Sequence, residues 1–210
     1  DADIDTLAAL ADLSLLRPRG DARFVMLETI RAYALEQLEA SGEADELRER
    51  HALVFTELAE RARRGLGGPD RARWEARLET ELPNVRAALI WASERRPELL
   101  HRLASSLRIF WNTHGYLREG RIWLDRSLAA GAEGLERAEI LGGLGWICRA
   151  LGDWDAAAEA AEERLQLAEA LGDAKNVNAA LGLQAILAEE DGDVARAEEL
   201  YELSIATSRA

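Results

Sequence analysis

Three stretches of the chain share one ungapped pattern: HGYLREGRIWLDRSLA, LGDWDAAAEAAEERLQ and DGDVARAEELYELSIA. In each, a glycine (Gly115, Gly152, Gly192) is followed two residues on by Leu117, Trp154 or Val194, and five residues on by a small residue, Gly120, Ala157 or Ala197. The glycines are spaced 37 and 40 residues apart. A period of that length describes one helix-turn-helix unit, which cannot bury its apolar face alone and must stack on its neighbours. The small residue lets the paired helices approach closely. The pattern therefore predicts an all-α fold, a helical-repeat solenoid with a concave inner wall.

The rest of the chain reads as amphipathic helices, because glycine and proline are rare in its Ala/Leu/Glu/Arg stretches and apolar residues recur three and four apart. The exception comes early. After a helix over 4–13, the phrase SLLRPRGDARFVML places apolar residues on both sides of Pro18, Arg19, Gly20 and Asp21, which predicts a β-hairpin with strands near 14–17 and 23–27. A helix follows from Glu28 and is stopped by Ser41 and Gly42, and another is expected over 44–65. Gly67, Gly68 and Pro69 mark a break with Asp70 as the next cap. Pro83 with Asn84 is expected to start a further helix carrying Val85, Leu89 and Trp91, and Pro97 to end it or begin its successor.

The repeats resemble the tetratricopeptide repeat, whose first helix carries a W-x₂-L-G-x₂-Y pattern. Leu141, Leu144, Gly145 and Cys148 occupy those four places, so the leucine and glycine are kept and both aromatics are replaced. Transferring the groove positions that this resemblance implies puts Arg102, Ser105, Asn112, Trp146, Arg149 and Glu189 on the inner wall as candidates for contact with a ligand or partner. For Trp146 the competing reading is a core residue, and for the arginines a solvated face or ion pair.

Residues 10–52 resemble the end of the winged-helix subdomain in STAND-class ATPases, found in many bacterial transcriptional regulators. Residues 78–92 and 110–128 resemble the helical segment that follows that subdomain. The resemblance implies three parts: 1–42 as the C-terminal part of a winged helix, 43–100 as a connecting helical segment and 101–210 as tetratricopeptide-like repeats. It also implies an ATPase module outside this segment. The family often carries a Met-His-Asp triplet after the last wing strand. Here the matching residues are Met26, Leu27 and Glu28, and leucine cannot donate a hydrogen bond to a nucleotide.

Composition excludes other classes. The net charge of −13 opposes direct nucleic-acid binding, which needs basic patches, and Lys175 is the only lysine. An acidic chain with one lysine is also expected to lack a basic, carboxylate-clamping groove. No run approaches the twenty apolar residues of a membrane span, and the charged start DADIDT does not read as a signal peptide, so a cytoplasmic location without membrane contact is expected. Cys148, the single cysteine, lies in an apolar helical phrase and is expected to be buried. No phosphate-binding G-x-x-x-x-G-K-[ST] occurs, and His51, His101 and His114 sit in no metal or catalytic pattern. Catalysis, a metal and a cofactor are therefore not expected. The reading that results is a non-catalytic sensor or partner-binding arm of a signal-responsive transcriptional regulator, taking a protein or small-molecule signal in its groove. A stand-alone scaffold for protein partners is the alternative.

Overall fold

The structure, a computed structural model, describes residues 4–20 and 23–209. The chain divides into two compact units, the first ending at Arg48 and the second beginning at Glu49. The first holds α1 (Ile4–Asp12), a two-stranded antiparallel sheet of β1 (Arg17–Pro18) and β2 (Phe24–Val25), and α2 (Glu28–Ser41). The division falls inside α3 (Ala44–Gly65). The second unit continues with α4 (Arg71–Arg95), α5 (Pro97–Thr113), α6 (Leu117–Ala129), α7 (Gly134–Ala150), α8 (Trp154–Leu171), α9 (Ala174–Asp191) and α10 (Val194–Arg209).

The hairpin is shorter than its sequence suggests, with Arg17 opposite Val25 and Pro18 opposite Phe24. Leu15 and Leu16 cannot join β1, because both backbone N–H groups donate back to the Leu10 carbonyl at the end of α1, at 3.0 and 3.2 Å. Pro18, expected in the turn, is instead the last paired residue of β1. Arg19 donates to the Arg23 carbonyl across the loop at 2.8 Å, and Asp21 of the expected turn lies outside the described residues. Met26 and Leu27 follow β2 rather than extending it, and α2 begins at Glu28.

In the second unit the paired helices are α5 with α6, α7 with α8, and α9 with α10. Leu117, Trp154 and Val194 are the first residues of α6, α8 and α10, and Gly115, Gly152 and Gly192 turn the chain between partners at φ of 77°, 78° and 85°. That left-handed backbone is open to glycine without the Cβ clash other residues meet, which explains why the repeat is legible at this position. The small residues face inward. Gly120, Ala157 and Ala197 are all buried, and a Cβ added at Gly120 would stand 2.8 Å from both the Trp111 Cβ and the Ile147 Cδ1. Leu141, Leu144, Gly145 and Cys148 are buried together on α7, and a Cβ at Gly145 would stand 2.6 Å from Leu183 of α9. Burial pushes the Cys148 thiol pKa up, away from reactivity.

Pro83 does not start a helix; it lies inside α4. The stripe Leu78, Leu82, Val85 and Leu89 is buried on both sides of the proline, and its packing outweighs the lost backbone hydrogen bond. The carbonyl deprived of its partner belongs to Glu79, on the exposed face of α4 where water can reach it. Asp70 precedes α4 as expected but makes no side-chain cap, and Pro97 occupies the first turn of α5. The core then runs through Leu100, Leu103, Leu107 and Phe110 of α5 to Ile140 and Ile147 of α7, with a smaller cluster of Leu181, Ala185 and Leu200 between α9 and α10.

Caps close the later turns. The Asp173 carboxylate accepts from the backbone N–H groups of Lys175 and Asn176 at 3.1 and 3.2 Å and from the Asn176 side chain at 2.6 Å. Replacing Asp173 with alanine is expected to lower stability by about 1 kcal/mol in urea unfolding at neutral pH. The Asn176 side-chain and backbone bonds hold the Asp173 carboxyl below the usual carboxylate range. Its contribution is thus present above the unfolded pKa and is lost as pH falls through the lower, folded value. The difference between Asp173→Ala and the parent chain should therefore narrow in strong acid.

Candidate functional site

A cleft lined by both signs of charge lies between α3, α5 and α7 and encloses about 500 Å³. Glu60, Arg63 and Arg64 of α3 form one side, Arg102, Ser105 and Ser106 of α5 the floor, and Glu136 and Glu139 of α7 the other side. Each set repeats at three or four residues, so one face of each helix supplies it. Ion pairs span the cleft. The Arg102 Nε–H donates to Glu60 at 2.8 Å, a bond that raises the Arg102 pKa, and Arg63 holds Glu139 with two parallel bonds, one of 2.6 Å. A fork-to-fork pair of this kind fixes both side chains.

One turn beyond Ser105, Arg108 lies half-buried on α5 with no hydrogen bond or ion pair among the described residues, and its Nε–H is buried without a partner. Two glycines make room for it and for a second arginine. A Cβ at Gly143 would come within 2.6 Å of the Arg108 Cβ, and one at Gly142 within 2.6 Å of the Arg164 Cζ. Arg164 reaches this position from α8, is 7% exposed, and donates from Nε and Nη2 to the Asn176 Oδ1 at 3.1 and 2.7 Å. It has an amide oxygen where a carboxylate would be expected. Burial lowers the Arg108 pKa, and the neighbouring Arg63 charge lowers it further. Burial and then the Arg108 charge push Arg164 down to about 10, which leaves it charged at neutral pH. Glu139, already engaged by Arg63, is the carboxylate whose field reaches both.

Of the residues placed on the inner wall by sequence, Arg102 and Ser105 line this cleft. The Ser105 hydroxyl donates to the Arg102 carbonyl at 3.1 Å. Asn112, Trp146, Arg149 and Glu189 lie outside the cleft lining. Trp146 is half-buried beneath the Arg149 guanidinium, 5.6 Å from ring centroid to Cζ, and Arg149 grips Glu190 of α9 at 3.1 and 2.5 Å. Glu189 accepts from the Tyr201 hydroxyl at 3.0 Å, and Asn112 is half-buried near the end of α5. Sequence reasoning missed Arg63, Glu139, Arg108 and Arg164. The signal that could have found the last two is the doublet Gly142-Gly143 in the middle of a helix, where glycine is costly unless something must pass close by.

A second depression of about 640 Å³ lies among α8, α9 and α10, with Trp154 and Leu187 as its apolar wall and Asp155, Glu190, Asp191 and Asp193 around it. Among the described residues no group of three or more His, Cys, Asp or Glu could hold a metal ion, and no helix is long and apolar enough to cross a membrane.

No protein-family model matches the chain. Two curated relatives from Mycobacterium tuberculosis strains and one from Mycobacterium bovis are each 42% identical to it over 133 residues, which is 60% of this chain. All three carry the provisional name of HTH-type transcriptional regulators. The matched stretch covers 14% of their length. Among solved structures, BtubC (BKLC) from P. vanneervenii is similar with a TM-score of 0.55 and 21% identity, over 77% of this chain and 74% of that one. That likeness concerns the helical-repeat fold.

Proposed function

We propose that this chain is a non-catalytic binding arm of a cytoplasmic transcriptional regulator, in which the cleft between α3, α5 and α7 takes a signal and passes it to parts of the protein outside this chain. The observation that carries the reading is the set of ion pairs, Glu60 with Arg102 and Arg63 with Glu139, that join α3 to α5 and to α7 across a cleft of small-molecule size. A ligand that engages one member of such a pair changes what holds the helices at their spacing. It can bias a conformational equilibrium only through that difference in interaction. Relatives named as HTH-type regulators support the regulatory half of the reading. The first unit supports a link to a further module of the STAND ATPase kind, because no described residue of α1 or α2 is buried, and Ile4, Leu13 and Tyr33 are exposed apolar side chains that a longer protein could cover.

The test is made in the full-length regulator in its own organism. Arg102→Glu, which sets two carboxylates against each other at Glu60, is expected to change by about fivefold or more the transcripts that deletion of the gene also changes. Circular dichroism of the purified variant should match the parent. Transcript levels indistinguishable from the parent strain, in a variant that folds and accumulates normally, would sink the proposal.

A further inference from the structure

We propose an oxyanion site beside the cleft, one turn beyond Ser105, where Arg108 of α5 supplies the open donors and Arg164 of α8 a second buried positive charge. The proposal rests on the binding-arm reading for its purpose, though not for its readout. A half-buried guanidinium without a partner is an unusual thing to fold around. Each buried charge costs several kcal/mol in lost hydration unless an opposite charge or a full set of hydrogen bonds offsets it, so native proteins pair them. Here Glu139 is committed to Arg63 through both carboxylate oxygens. Arg164 is held by the Asn176 amide oxygen, with the Asp173 carboxylate behind it on the Asn176 amide nitrogen. Arg108 is left as the guanidinium without a partner among the described residues, and its buried Nε–H marks where an anion is missing. Gly143 sharpens the point, since a Cβ there would stand 2.6 Å from the Arg108 Cβ, at the base of a side chain that cannot swing away.

The chemistry that fits is a small molecule bearing one phosphate-ester or carboxylate group, because the planar guanidinium fork matches both. Glu60 and Glu136 stand along the rest of the cleft, and Glu136 has no ion pair among the described residues, so a second negative group on the ligand would be repelled. The net charge of −13 adds to that exclusion for nucleic acids and other polyanions.

Titration of the 210-residue chain with inorganic phosphate and, separately, with succinate at constant ionic strength tests the site. The reporters are the Arg108 and Arg164 Nε–H resonances in a ¹⁵N-correlation spectrum, with the melting temperature followed in parallel. Saturable movement of both resonances is expected. Arg108→Met should weaken the binding by about tenfold or more, while Arg71→Gln, at the exposed first residue of α4, should leave it unchanged. Tighter saturation by phosphate assigns the site to phosphate esters, and tighter saturation by succinate assigns it to carboxylates. Resonances unmoved by either probe, or moved without saturation, overturn the site. If Arg108→Met does not fold, the parent titration decides alone. A failed titration beside altered transcripts in Arg102→Glu removes the oxyanion site and leaves the binding arm standing.

Discussion

Trp111→Ala is expected to lower the free energy of unfolding by about 3–5 kcal/mol, the range for truncating a fully buried aromatic side chain. Trp111 is fully buried on α5, within the cluster that also takes in Leu124 and Ile147. The opposing residue on α6 is Gly120, whose missing side chain is what lets the two helices touch at this point. After truncation no neighbour on that side can swing in to refill the void, so the cavity cost adds to the lost burial. The midpoint of urea unfolding should fall with an unchanged slope. Trp111→Phe gives the contrast. The indole Nε1–H is buried without a partner, so phenylalanine removes an unsatisfied donor along with some volume, and the two effects should leave stability within about 1 kcal/mol of the parent. A loss as large as that for alanine would show that the indole makes a bond to ordered water.

The contrast at this site parallels what could be read from sequence. Gly115, Gly152 and Gly192 were legible because a left-handed turn demands one residue type at one position, and the demand recurs. Gly120, Ala157 and Ala197 were legible for the same reason, since close helix approach filters side chains by size. Pro83 misled because the local rule against proline inside a helix is overruled by Leu78, Leu82, Val85 and Leu89, whose burial is a property of the assembled unit. The hairpin edge was misplaced because Leu15 and Leu16 spend their N–H groups on Leu10, a bond that alternation of apolar residues does not encode. Arg102 and Ser105 were singled out on α5 from repeat position and line the cleft, whereas Arg108 was not singled out. Its importance depends on Gly143 of another helix and on the prior engagement of Glu139, both settled by tertiary contact.

Glu139→Gln follows from that engagement and should be among the most damaging conservative substitutions in the chain. The side chains of Glu139 and Arg63 are 18% and 28% exposed, so their pair is shielded from water more than a surface pair, though less than one in a dry interior. Removing one partner of a fully buried pair costs about 3–5 kcal/mol, and the remaining exposure discounts this to about 2–3 kcal/mol. The loss exceeds that of a single bond because the Glu139 charge also acts on Arg108 and Arg164, and is the one carboxylate among the described residues that reaches Arg108. Arg108→Met isolates the repulsion. In the parent chain it removes an unpartnered charge while keeping an apolar stem over Gly143, and stability should hold or rise. In the Glu139→Gln background the same change should restore more, by about 1–2 kcal/mol of coupling between the two positions. An additive double mutant would mean that Glu139 acts through Arg63 alone. Inorganic phosphate gives an independent arm, because an anion that binds the folded chain at Arg108 raises stability by about 2.7 kcal/mol at a hundredfold excess over its dissociation constant. That rise should appear in Glu139→Gln and disappear in the double mutant, which lacks the guanidinium the anion would engage.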